Sequence, residues 1–223
     1  PVKIMDNDDL SNMVDTNDAW IRERTGVEKR HIAESESTVS MAVEAGRQAL
    51  AQTGIRPEEL DMIVVSTMSP DAVLPSTACE VQKAIGAEGA VCFDLQAACT
   101  GFIFAYNTAQ AYIQSNMCRT VLLIGSERLS RLVDWTDRGT CILFGDGAGA
   151  AVLKAAEGRA YLPISHSDGK KGEALTCDRY IHMDGRAVFQ FAVTRVPEVI
   201  REVLTKNELL MDDIDYFVLH QAN

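Results

Sequence analysis

Residues 91–117, VCFDLQAACTGFIFAYNTAQAYIQSNM, decide the fold. A short apolar run, Val91 to Leu95, passes through a tight Ala-Ala turn directly into a long helical pattern, with Cys99 at the junction. An apolar run of this length bounded by turn residues reads as a strand covered on both faces. In the helix, Phe102, Ile103, Ala105, Tyr106, Ala109, Ala111, Tyr112 and Ile113 leave no wide polar side, which predicts burial inside a large domain. A cysteine in the first turn of such a helix meets unpaired N–H groups and the positive end of the dipole, which favour thiolate and so make a nucleophile. Gly101 leaves room for a substrate carbonyl to approach.

Around this stretch the 223 residues are 47% hydrophobic and 24% charged, enough to bury a substantial core as one large domain or two fused halves. No stretch reaches the roughly 18 apolar residues of a membrane span, and PVKIMDNDDL has no signal-peptide pattern, so the expected location is the cytoplasm. A net charge of −11 argues against a general nucleic-acid or membrane surface. Cysteines 79, 92, 99, 118, 141 and 177 form no C-x-x-C pair and have no His spacing suited to zinc, so no metal is expected.

Upstream, DNDD opens residues 6–31 as an acidic turn without the glycine and terminal Glu of a calcium loop. Thr16 and Asp18 are the predicted caps of a short helix carrying Trp20 and Arg24 one turn apart. That pair suits a planar, charged ligand, and equally a half-buried Trp beside a solvated Arg; the stretch alone leaves both open. Residues 38–54 predict an amphipathic helix capped by Thr38 and ended by Gly54, followed by a strand in DMIVVSTM. STACEVQKAI, 76–85, repeats the capped helix, and TVLLIGS, 120–126, the buried strand. Such alternation argues an α/β fold with a mostly parallel, covered sheet.

An internal repeat extends this. GRQALAQTGIRPEELDMIVVSTMS from 46 aligns with IREVLTKNELLMDDIDYFVLHQAN from 200 at an offset of 154 (215 minus 61), pairing Arg47 with Arg201, Leu50 with Leu204, Asp61 with Asp215 and Ser66 with His220. Both copies read as helix, acidic turn and buried strand, as in two halves built alike. LFGDGAGAAVL, 143–153, matches G-x-G-x-x-A, but AAVL reads as strand where a phosphate loop needs a helix; a glycine-rich turn is expected instead. Residues 158–187 read as an irregular polar excursion, and DYFVLH as a last strand with His220 at its carboxyl end, where open α/β sheets place catalytic groups.

MVDTNDAWIRERTG from 13, DLQAACTGF around Cys99, DRGTCILFGDGAGAAVL from 137 and the terminal VLHQAN, in this order, resemble the β-ketoacyl-acyl carrier protein synthase III family, the initiating condensing enzymes of type II fatty-acid synthesis. The resemblance implies a thiolase-like α/β fold of two similar halves in a five-layer sandwich. The N-terminal strand and most of the C-terminal half are absent, so 1–155 is the half with the nucleophile and 156–223 the start of the other. It implies that Cys99 is acylated by acetyl-CoA or another short acyl-CoA and that malonyl-acyl carrier protein then condenses with loss of carbon dioxide, His220 being the catalytic histidine. Coenzyme A enters as substrate, without a resident cofactor.

By the same resemblance Trp20 and Arg138 sandwich the adenine, with Thr16 and Arg24 near the nucleotide phosphates, and Gly185, Phe189, Ala222 and Asn223 lie along the pantetheine tunnel. Leu74, Leu129, Phe144 and Ile181 wall the acyl pocket, Leu74 standing where some members have Phe. Gln221, Ala222 and Asn223 meet the carrier protein; Gln190 stands where a Lys can serve docking. A homodimer is expected. The family's catalytic asparagine, in a later Gly-Asn-Thr motif, is not among the 223 residues. The expectation is an intact enzyme with mobile segments left out; the alternative is a true fragment. Competing readings are another thiolase-fold enzyme joining acyl-CoA chains and an inactive acyl-CoA-binding fragment.

Overall fold

The computed structural model describes residues 1–221. In chain order its elements are β1 (Lys3–Asp6), α1 (Asn7–Ser11), α2 (Asp18–Thr25), β2 (Lys29–Ile32), α3 (Thr38–Thr53), β3 (Met62–Ser66), α4 (Thr77–Ile85), β4 (Val91–Leu95), α5 (Gly101–Gln114), β5 (Thr120–Arg128), β6 (Asp146–Lys154), β7 (Leu175–Cys177), β8 (Ile181–Met183) and α6 (Gly185–Asn207). They fall into two compact units. The first holds Pro1–Met5, Arg30–Arg131 and Gly145–Gly158; the second holds Asp6–Lys29, Leu132–Phe144 and the chain from Arg159 onward.

The first unit is built on a sheet of order β4-β3-β5-β6. β3 runs parallel to β4 and β5, with Ser66 level with Leu95 and Gly125, while β6 is antiparallel to β5. Side chains alternate across a strand. Ile63 and Val65 of β3 with Leu122 and Ile124 of β5 therefore pack under α3 and α4, whereas Met62, Val64, Val121 and Leu123 pack against Ala105 and Ala109 of α5. Each fully buried aliphatic side chain stabilises by about 1.5–3 kcal/mol, which is why the two central strands are apolar without alternation.

Four expectations for this unit change. β4 is an edge strand and only partly buried, with Val91 61% exposed, although Cys92 packs on one face of the sheet and Phe93 and Leu95 on the other. α5 buries only a narrow stripe of small residues and leaves Ile103 57% exposed, because just one side of it meets the sheet. Gly147 and Gly149 lie within β6, so the expected glycine-rich turn is a strand, as AAVL required. The cap of α3 is Ser37 rather than Thr38: Ser37 accepts from Ser40 N–H, while Thr38 is buried and donates its hydroxyl to Ser69 O at 2.6 Å.

In the second unit DNDD is not a free turn but the start of α1, with Asp6 and Asp9 forming a reciprocal capping box. The cap of α2 is Asn17, whose side chain accepts from Trp20 N–H at 2.9 Å; Asp18 occupies the first helical position, where its charge complements the dipole. The 158–187 excursion contains the antiparallel hairpin β7–β8. Residues 215–221 form no strand, and Val218 is 96% exposed. Extended backbone becomes a strand only with a ladder partner, and among the described residues it has none.

Carboxylates fasten the strand ends. Asp61 accepts Arg119 N–H at 2.7 Å and Thr120 N–H at 2.9 Å, and Asp94 accepts Thr77 and Ala78 N–H at the start of α4, both at 2.8 Å. Buried Asp146 accepts Ala33 N–H at 2.6 Å and Ser130 N–H at 2.8 Å. Asp146→Ala leaves both amides buried without partners and is expected to lower unfolding free energy by about 2–4 kcal/mol, read from the denaturant midpoint; Asp146→Asn, which keeps one acceptor, should cost less.

Candidate active site

Cys99 sits where the parallel sheet hands the chain to α5. After β4 ends at Leu95, Ala98 takes φ 44, a left-handed conformation that costs a residue with a Cβ about 1–2 kcal/mol. That bend starts a 3-10 turn over Ala98–Thr100, closed by Thr100 N–H to Ala97 O at 3.2 Å, and α5 begins at Gly101. The helix can start there because Gly101 lies directly on the end of β3: a Cβ at this position would come 2.1 Å from Ser66 Oγ. One residue on, Phe102 rests against Gly125 of β5. Cys99 is thus held at the carboxyl ends of the parallel strands, in an exposed residue whose thiol is crowded by its surroundings.

The electrostatics differ from the expectation of a thiolate. Burial pushes the Cys99 thiol up from its ordinary value and the negative charge of Glu127 adds to this, while the backbone N–H of Cys99 itself pulls the other way. The sulfur is carried by the 3-10 turn that precedes α5, and burial is the largest of these influences on it.

In the second unit a cationic cluster surrounds Trp20. The guanidinium of Arg24, one turn along α2, lies 4.4 Å from the ring centroid, and that of Arg138 lies 4.9 Å from it. Arg138 is held by its donation to Asp15 O at 2.9 Å, and its turn by Asp137, which accepts Gly139 N–H at 2.8 Å. Thr16 Oγ1 is buried and has no hydrogen-bond partner among the described residues. A base sandwiched between two flat groups needs them roughly 7 Å apart, twice the contact distance of about 3.5 Å. The 4.9 Å separation is smaller, so Arg138 must swing outward before anything stacks between it and Trp20.

Residues 93–169 match the family model of 3-oxoacyl-[acyl-carrier-protein (ACP)] synthase III. The whole chain is 45% identical to the β-ketoacyl-[acyl-carrier-protein] synthase III of Clostridium novyi and 44% identical to that of Streptococcus pneumoniae, covering 74% of each. The chain belongs to the β-ketoacyl-acyl carrier protein synthase III family. Solved relatives agree: the synthase III of Aquifex aeolicus superposes with a TM-score of 0.97 at 44% identity, and that of Pseudomonas aeruginosa with 0.95 at 38%, over the whole chain and 74% and 73% of theirs. The fold is accordingly the thiolase fold, and the chain is an acyltransferase of the condensing type.

Within this synthase III chain the remaining expected site residues are divided between the units. Leu74, 83% exposed, and half-buried Leu129 belong to the first; half-buried Phe144 and buried Ile181, whose N–H donates to Leu132 O at 2.8 Å, belong to the second. Gly185 opens α6 behind the cap Asp184, and Phe189 and Gln190 are exposed on its early turns. His220 and Gln221 are exposed, in backbone that is not strand. Ala222 and Asn223 lie outside the described residues.

Sequence reasoning passed over Glu127, and met Ser66 only as the counterpart of His220 in the repeat, not as the seat of Gly101. The signal for Glu127 was available, since an acidic residue closes the apolar run TVLLIGSE, where a buried strand ends. Ser66 gave none, because only the fold brings it to Gly101. Gly101→Ala is expected to destabilise the protein by about 1–3 kcal/mol and to abolish alkylation of Cys99 in the native turn. Ser66→Ala in the same chain should recover most of the loss, because the new Cβ would then meet the residue 66 Cβ at 3.4 Å and Leu95 Cδ2 at 4.0 Å in place of the hydroxyl. Thermal unfolding and mass-resolved alkylation of the single and double variants check this.

Proposed function

We propose that the chain initiates fatty-acid synthesis by condensing acetyl-CoA or another short acyl-CoA with malonyl-acyl carrier protein, with Cys99 as the nucleophile. The observation that carries this reading is the strained 3-10 turn that presents Cys99 at the carboxyl end of the parallel sheet, ahead of α5. Cys99 Sγ attacks the acyl carbonyl, the bond from carbon to the coenzyme A sulfur breaks, and the Sγ proton leaves with the departing thiol. Malonyl-acyl carrier protein then loses carbon dioxide, and its carbanion attacks the Cys99 thioester to release 3-oxoacyl-acyl carrier protein and the Cys99 thiolate, which a proton from solvent returns to the thiol. His220, donating from its imidazole N–H, stabilises the oxyanion that this step builds up. Coenzyme A is a substrate here, not a resident cofactor.

The Trp20 cluster supports the nucleotide end. Arg24 and Arg138 supply charge for phosphates and flat cationic surfaces for the adenine, and Thr16 Oγ1 has a hydrogen bond to give. Gly185, Phe189, Ala222 and Asn223 are assigned to the pantetheine path, Leu74, Leu129, Phe144 and Ile181 to the acyl group, and Gln221, Ala222 and Asn223 to the carrier protein. The net charge of −11 and the lack of a helix long and apolar enough to cross a membrane among the described residues favour small-molecule and carrier partners in the cytoplasm over nucleic acid or lipid. A homodimer is supported by the uncovered edge of β4 and by Ile103 and Met117, 57% and 69% exposed beside it in sequence. Residues 1–155 form the nucleophile-bearing half, and 156–223 open the second.

Mixing the protein with acetyl-CoA should add one acetyl group to its intact mass, and Cys99→Ser should abolish the gain; an equal gain in that variant would refute the assignment. Release of carbon dioxide that depends on malonyl-acyl carrier protein separates this reaction from the joining of two acyl-CoA chains. Trp20→Ala should raise KM for acetyl-CoA by roughly tenfold or more with kcat little changed, since it removes ground-state and transition-state binding alike.

A further inference from the structure

The short helix that carries Trp20, α2, is held by the amide of a residue outside it. Asn7 opens α1 and is 1% exposed. Its side-chain N–H groups donate to Asp18 Oδ1 at 2.8 Å and to Val27 O at 2.9 Å. Asp18 is the first residue of α2, and Val27 lies beyond its end, where Gly26, at φ 68, turns the chain back. One amide therefore ties the first residue of the helix to the carbonyl that follows its last turn, and both to α1. The Asp18 carboxylate also accepts Arg22 Nε–H at 2.8 Å, and Arg22 pairs with Glu28, which carries the tie along the helix. Donation by Arg22 first, and by Asn7 second, holds the Asp18 carboxyl below its ordinary value, so it stays an acceptor.

Apolar packing alone fixes α2 loosely. Of its eight residues only Ile21 is buried. A helix this short is marginal by itself, and a single apolar anchor leaves it free to turn about its axis. A rotation of about 20° moves a side-chain tip that lies about 6 Å from the axis by about 2 Å. Trp20, next to Ile21, is such a side chain, with the guanidinium groups of Arg24 and Arg138 at 4.4 and 4.9 Å from its ring centroid. Stacking does not survive a shift of that size, since a gap of about 0.5–1 Å already forfeits a quarter to a half of the contact energy.

We propose that Asn7 is a positioning residue for the coenzyme A nucleotide: its amide sets the rotation of α2, and with it the place of the Trp20 ring and of Arg24. This rests on the Trp20 cluster being the nucleotide site. Asn7 acts through α2 and touches no substrate, so its effect is confined to a donor that carries the nucleotide. Acetyl-CoA carries it, whereas malonyl-acyl carrier protein presents its pantetheine without an adenine. Asn7 thus serves acylation of the enzyme and leaves the condensation alone. In a two-step transfer, kcat/KM for each substrate reports its own half of the reaction, so the two effects separate.

The test measures kcat/KM for acetyl-CoA and for malonyl-acyl carrier protein in the wild type, Asn7→Leu and Asn7→Ser. Beside it runs the acetylation of the protein by acetyl-CoA and by S-acetylpantetheine, which has the same thioester and no nucleotide. Trp20→Ala is the control for the site. Leucine matches the bulk of the amide without its donors. Asn7→Leu should lower kcat/KM for acetyl-CoA about tenfold or more, with malonyl-acyl carrier protein and S-acetylpantetheine within about twofold of the wild type. Should that variant fail to fold, Asn7→Ser, which adds no bulk and is too short to span both acceptors, carries the same expectation. An equal loss with both acetyl donors, or no loss in a folded variant, overturns the proposal, while a loss confined to acetyl-CoA in Trp20→Ala leaves the nucleotide site standing. A Trp20→Ala variant that uses acetyl-CoA as well as the wild type does overturns both.

Discussion

The contact between Gly101 and Ser66 is the constraint on which the site depends. A helix that follows a central-sheet strand at once has no loop in which to adjust, so its first turn must lie on the neighbouring strand. Here the distance from an added Cβ to Ser66 Oγ, 2.1 Å, leaves room for hydrogen alone. The same closeness forces the bend at Ala98, whose positive φ turns the chain off β4 quickly enough to bring Cys99 above the strand ends. Glycine at 101 therefore lets α5 reach the sheet, and any carbonyl that approaches the sulfur does so over backbone fixed by that contact.

What keeps this arrangement rigid is a set of carboxylates that accept backbone N–H groups at the ends of strands and the starts of helices. Asp61, Asp94, Asp146 and Asp71 each accept two such amides, and Glu127 accepts one together with two hydroxyls. Parallel strands end in loops whose amides have no ladder partner, and a carboxylate that takes two of them makes charge-assisted bonds stronger than neutral ones. Part of the acidic excess is thus internal framework. Glu127 belongs to the same framework, since it braces Thr67–Ser69 just beyond the end of β3.

Most of the first unit was legible in the sequence because its signals are local and point the same way. Ser76 and Gly86 bound α4 as capping rules require, and the apolar runs at 62–66 and 120–124 have nowhere to go but between two helical layers. The errors fall where a local signal competes with a neighbour. Thr38 has the chemistry of a cap, but burial turned its hydroxyl to Ser69 O and left the cap to Ser37. Val91–Leu95 has the composition of a covered strand yet lies on an edge, since composition reports the faces a strand wants covered and not whether a partner chain or element covers them. Around Cys99 the start of the helix is visible in sequence, whereas the burial that pushes the thiol up exists only after folding.

The internal repeat separates these two kinds of information. At the same offset, α3 and α6 end at Thr53 and Asn207, and 3-10 turns follow at Pro57–Glu59 and Met211–Asp213. Helix and turn, whose hydrogen bonds close within the segment, appear in both copies. The strand appears only at Met62–Ser66, where β4 and β5 flank it, and not at residues 215–221. The aligned strand-end residues then divide the work. Ser66, small and buried, gives α5 a surface on which to seat Cys99, and His220 in the matching place carries, on the proposed reading, the N–H that the oxyanion needs. A duplicated α/β unit offers two equivalent strand ends, and on the proposed reading the two are put to unequal use: one supports the nucleophile's helix, and the other offers a hydrogen-bond donor to the oxyanion.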